Sequence, residues 1–133
     1  SNAWNRPLTS HRHKTSEQAM SELTAVRLYF PLSAQAKGTH FWHRLTAPGL
    51  GHHLLREAKR AHIQQAVMLP VDSGYLPGDK LQHDQFEGRP GKLPQCVELI
   101  DTETKLRRFL HEHRANLEGV RAVLYRCELP LQA

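Results

Sequence analysis

Apolar and polar residues alternate from Thr24 to Phe30. Val26, Leu28 and Phe30 fall on one side, Arg27 and Tyr29 on the other, the period-two pattern of a half-buried strand. Pro31 ends it. From about Gly51 to Gln64 the period lengthens. Leu50, Leu54, Leu55, Ala58 and Ala61 share one face, and Arg56, Glu57, Lys59 and Arg60 take the other, as in an amphipathic helix, with Pro48 tolerated just ahead of it. A second strand is predicted over Ala66–Val71. Residues 72–94 then hold four glycines and three prolines among many charges, which reads as one large flexible loop. A third strand runs from Gln95 to Ile100, with Cys96, Glu98 and Ile100 opposing Val97 and Leu99. Asp101 or Thr102 can cap the helix that follows, whose apolar stripe is Leu106, Phe109, Leu110 and Leu117. Gly119 closes the turn into a last strand, Val120 to Leu129, stopped by Pro130.

The predicted order is β-α-β-β-α-β over residues 23–133, an α+β ferredoxin-like sandwich: a four-stranded antiparallel sheet with two crossover helices on one face. The strands are apolar on both sides. Val123, Tyr125 and Cys127 oppose Ala122 and Leu124, so the face without helices also needs a cover. Copies of the same chain would supply one, which predicts a homo-oligomer.

The 133 residues fit one domain with short appendages, and 39% hydrophobic content suffices for one core. Ser1-Asn2-Ala3 has the form of a tag remnant, and residues 4–22 are polar enough to be a flexible N-terminal arm. No run approaches the roughly 20 apolar residues of a membrane span, and no secretion signal is visible, so a soluble, cytoplasmic protein is expected. Cys96 and Cys127 lie in apolar runs where cysteine serves as a small hydrophobe. The formal charge of +5 and a pI near 9.6 favour anionic partners. No basic-aromatic RNA-reading motif or zinc finger is present, so nucleic acid is not the expected partner.

The segment Leu93-Pro94-Gln95-Cys96-Val97-Glu98-Leu99-Ile100-Asp101, followed by Thr102-Glu103-Thr104-Lys105-Leu106, resembles the PII-like domain-of-unknown-function family 190. The valine-rich last strand fits as well, as does the earlier order of strand, helix, strand and glycine-bearing loop. The resemblance spans about residues 24–128. It implies a homotrimeric sensor or adaptor that binds a small anionic ligand, an adenine nucleotide being the leading candidate, in clefts between subunits. It also implies that loop 72–94 reaches a membrane-protein or enzyme target. Carried over by position, the ligand residues are Gly74 and Tyr75 at the loop base and Arg126 in the last strand, with Lys80, Arg89 and Lys92 on the loop. The loop after the second helix, Ala115 to Gly119, differs from PII signalling proteins in having no glycine-and-lysine phosphate motif.

The residues themselves support this chemistry. A glycine lets backbone N–H groups approach a phosphate, an arginine grips two phosphate oxygens, and Tyr75 can stack on a base. The plainer alternative is that Gly74 and Gly78 only turn the chain and Tyr75 packs under the loop. A second function class rests on the ten histidines. His40 and His43 have the spacing of one helical turn and are the candidate ligands of a transition-metal-binding, CutA-like oligomer. His52/His53 and His111/His113 have poorer spacing, and no Cys-x-x-Cys or His-Glu-x-x-His motif occurs. An enzyme is the third class. Glu98 has no partner at catalytic spacing in the sequence and reads as an outward or interface charge.

Overall fold

The computed structural model describes residues 22–36, 49–83 and 91–131. The elements are β1 (Leu23–Pro31), α1 (Leu50–Arg60), β2 (Gln65–Leu69), β3 (Ser73–Gly74), β4 (Gln82–His83), β5 (Pro94–Thr102), α2 (Glu103–Glu112) and β6 (Arg121–Arg126). Strands β2-β5-β1-β6 form one antiparallel sheet in that order. This is the ferredoxin-like arrangement the hydrophobic pattern predicts. The segments on which it depends most are strands: Ala66–Leu69 of the predicted Ala66–Val71, and all of Gln95–Ile100.

The register divides the strands by face. Val26 lies opposite Leu99 and Leu124, and Leu28 opposite Val97 and Ala122. Val26, Leu28, Phe30, Val97 and Leu99 pack into one cluster with Leu50, Leu54 and Ala58 of α1 and Leu106 and Phe109 of α2. Both helices therefore cover the same side. Each fully buried aliphatic or aromatic side chain there contributes about 1.5–3 kcal/mol. On the opposite face β1 presents Arg27 and Tyr29, β5 presents Cys96, Glu98 and Ile100, and β6 presents Val123 and Tyr125.

Several element ends, and the loop, differ from the sequence reading. α1 stops at Arg60, short of Gln64. The Ile63 N–H donates to the Ala58 carbonyl and the His62 N–H to the Lys59 carbonyl, the paired bonds of a Schellman ending. His62 takes the left-handed position at φ 58°, a place usually filled by glycine. Buried Ile63 anchors the turn. β2 stops at Leu69, ahead of Pro70, which has no N–H for a ladder. β6 covers only Arg121–Arg126 of the predicted Val120–Leu129. Finally, the 72–94 loop is not without structure: β3 and β4 make a small hairpin within it.

The start of α2 is as expected. Thr102 is its N-cap, with Oγ1 accepting from the Lys105 N–H at 3.3 Å. Asp101 ties this corner to the end of α1. Its Oδ2 accepts from the Gln64 N–H at 2.8 Å and its Oδ1 from the Thr102 N–H at 2.7 Å. The Lys105 ammonium lies 3.5 Å from Asp101 Oδ2 and also donates to the His62 carbonyl.

Candidate functional site

The loop that leaves β2 is shaped by its glycines and prolines. Leu76-Pro77-Gly78-Asp79 forms a turn closed by the Asp79 N–H on the Leu76 carbonyl at 2.9 Å. Gly78 has φ +85°, which with Pro77 before it defines a type II turn. Below the turn, Ser73 pairs with His83 and Gly74 with Gln82. Tyr75 and Leu81 follow on the two arms and are 65% and 59% exposed. Tyr75 thus does not pack against the described part of the loop. Lys80 is exposed beside it. Lys92, exposed, lies 3.9 Å from half-buried Asp79, a long contact that contributes little. A Cβ built on Gly74 would come 4.0 Å from the Pro94 ring, so the hairpin root sits next to the start of β5. Arg89, like His40 and His43, lies outside the described residues.

Arg126 is placed elsewhere. It is on β6 opposite Thr24, with Nε 3.3 Å from Glu22 Oε2. β2 and β6 are the two edges of the sheet. Three strand spacings separate them, about 14 Å, and Arg126 is displaced along the strands by about five residues, or roughly 16 Å, from the row that leads to the loop. Within one subunit Arg126 and Gly74 do not share a site.

The face opposite the helices holds a polar cluster that the sequence reading did not identify. Glu98 pairs in register with Arg27. Its Oε2 accepts from Arg27 Nε at 2.8 Å and from the Tyr125 hydroxyl at 3.0 Å. The Arg27 guanidinium also sits 5.6 Å from the centre of the Tyr125 ring, within cation–π range. Burial, then the bond to Glu98, pushes the Tyr125 phenol up to about 12. The matching alternation of β1 and β5 carried a signal for this pair, but only the register brings Arg27 and Glu98 opposite each other. Around the cluster lie Val123, 41% exposed, and half-buried Tyr29, Val67, Leu69 and Ile100.

Ser73, Asp72 and His83 form a group with hydrolase-like composition. Ser73 Oγ is 3.0 Å from His83 Nδ1 and donates to Asp72 Oδ2 at 3.1 Å. A hydroxyl has one proton, so with that proton on Asp72 the imidazole must donate to Ser73. A catalytic triad needs the reverse, with the acid holding the imidazole and the imidazole accepting from serine. The group is an exposed cross-strand pin. Among the described residues no three histidine, cysteine or acidic side chains are placed to hold a metal ion. His53 faces Asn116, with Nε2 and Nδ2 3.5 Å apart, and burial lowers its pKa. Among the described residues, too, no helix is long and apolar enough to cross a membrane.

The sheet order and the one-sided helices define a ferredoxin-like domain. Within that class the chain belongs to DUF190, a family described as uncharacterized ACR, whose model matches residues 33–129. No curated protein matches the chain. Among solved structures, the chain is similar to CPII, a nitrogen regulatory PII-like protein from Thiomonas intermedia K12 bound to ADP, AMP and bicarbonate. Identity is 13%, coverage 77% of this chain and 86% of that one, and the TM-score 0.37. An EthD-like protein from Ralstonia eutropha JMP134 is 12% identical over 85% of this chain and 96% of its own, with a TM-score of 0.38. A hydantoinase/carbamoylase-family amidase from Burkholderia phymatum is 17% identical over 81% of this chain but 28% of its own, with a TM-score of 0.37. At such scores these likenesses say nothing about function.

Proposed function

We propose that this protein is a PII-like regulatory trimer in which loop 72–94 responds to a small anionic ligand, an adenine nucleotide, held between subunits. The observation that carries the reading is the separation of the two halves of the site. Gly74, Tyr75, Lys80 and Lys92 stand at one edge of the sheet and Arg126 at the other. A ring of subunits joined head to tail sets different surfaces of neighbouring copies against each other, which would allow the two halves to meet. The apolar surface around Arg27, Glu98 and Tyr125 faces away from the helices and would be covered in the same assembly. Exposed Tyr75 is free to stack on a base, and the lysines supply positive charge for phosphates. The loop then orders or releases according to what is bound, and presents its tip to a target protein.

Calorimetry with AMP, ADP, ATP and cyclic AMP tests this. Heat of binding is expected with at least one nucleotide. Arg126→Ala and Lys92→Ala should each weaken it by about tenfold or more, the usual loss for a hydrogen bond to a charged group. Absence of heat with all four nucleotides overturns the reading.

A further inference from the structure

A groove of about 390 Å³ lies beside the loop root, within a single copy of the chain. Its walls are His52 and Leu55 of α1, Met68 and Leu69 of β2, Pro70 and Val71 beyond β2, and Pro94 and Gln95 of β5. The volume falls in the range of small-ligand pockets, which pair apolar walls with a few placed polar groups. Gln95 is the polar group here. It is half-buried, and among the described residues its side-chain amide bonds only to Met68 Sδ, at 2.8 Å from Nε2. A thioether is a weak acceptor, so the amide keeps donor and acceptor capacity.

Gly51 explains how the amide comes to lie there. A Cβ at this helical position would stand 3.1 Å from both Gln95 Oε1 and Met68 Cε. A side chain there would make both ends shift by a few tenths of an ångström. Glycine has a cost inside a helix, and in return α1 lies close against the amide and the thioether.

We propose that this groove is a pocket for a planar nitrogen heterocycle, with Gln95 reading a donor-beside-acceptor edge such as that of a purine. The chemistry is direct. A side-chain amide pairs bidentately with the adjacent donor and acceptor of adenine. The Met68 sulfur makes favourable contact with an aromatic ring. Leu55, Pro70 and Pro94 enclose flat apolar surface, and His52 stands at the rim. The lining among the described residues comes from one subunit and includes none of Tyr75, Lys92 or Arg126. The pocket is a site separate from the inter-subunit one, and rests on the reading above only for the choice of probe.

The chain has two methionines, Met20 and Met68, so labelling methionine methyls with carbon-13 gives two assignable signals. Titration with adenosine, which has no phosphate, is expected to shift the Met68 methyl upfield through ring current and leave Met20 in place. Gln95→Leu should weaken adenosine binding by about tenfold or more. Thermal melts establish that each variant is folded, and the wild-type methyl shift needs no variant at all. A Met68 signal unmoved by saturating adenosine overturns the pocket. So does nucleotide binding that is lost in Arg126→Ala and kept in Gln95→Leu, a result that leaves the inter-subunit reading standing. Adenosine binding that depends on Gln95, together with nucleotide affinity no greater than that for adenosine, sustains the pocket and removes the phosphate site.

Discussion

Replacing Glu98 by glutamine keeps the shape of the central polar cluster and removes its charge. Glu98 Oε2 accepts from Arg27 Nε at 2.8 Å and from the Tyr125 hydroxyl at 3.0 Å. Hydrogen bonds to a charged group contribute about 1.5–3 kcal/mol each. The Arg27 side chain is 41% exposed, so solvent screening reduces its share to below about 1 kcal/mol. The Tyr125 bond keeps about 1–1.5 kcal/mol. Glu98→Gln should therefore cost about 2 kcal/mol, or about 6–8 °C in Tm for a domain of this size, read by calorimetry at one fixed protein concentration. A double-mutant cycle with Tyr125→Phe should return a coupling of about 1 kcal/mol. The pH dependence has a definite sign. The folded phenol titrates near 12 and an unfolded tyrosine near 10. Burial is the larger cause of that rise and the bond to Glu98 the second, so the bond's share of the stability is present below about pH 10 and is lost as pH rises toward 12. The stability gap between wild type and Glu98→Gln should narrow over that interval. Additivity within about 0.3 kcal/mol in the cycle, with a constant gap from pH 9 to 12, refutes the reasoning.

Two further predictions concern the joint between α1 and α2. His62→Gly should stabilise the protein by about 0.5–1 kcal/mol in a denaturant melt, because the left-handed position at φ 58° costs a residue with a Cβ more than it costs glycine, even after the greater chain entropy of unfolded glycine is subtracted. Asp101→Ala should cost about 3 kcal/mol in the same assay. It strips acceptors from the Gln64 and Thr102 N–H groups and the counter-charge from Lys105, at a side chain only 4% exposed.

The sheet and both helices were legible because each buries one face, and period two or period 3.6 marks that face directly. Val26, Leu28 and Phe30 could be assigned to the core without coordinates. The end of α1 was not, since the expected stop is a glycine and the chain uses His62. The β3–β4 hairpin was hidden because its paired segments are two residues each and the apolar residues next to them, Tyr75 and Leu81, are exposed. The groove escaped for a different reason. Gly51, Met68 and Gln95 belong to three elements, and only packing brings them together. The same holds for the distance between Gly74 and Arg126, which depends on the strand order and not on any local pattern.

Sedimentation velocity at micromolar concentration is the most direct test of the assembly on which the ligand proposal depends. A particle about three times the 15.2 kDa chain mass is the predicted result, with Val123→Asp shifting it toward single chains by placing a charge on the shared face. A wild-type protein that sediments as a monomer leaves Arg126 stranded across the sheet from Gly74 and contradicts the account.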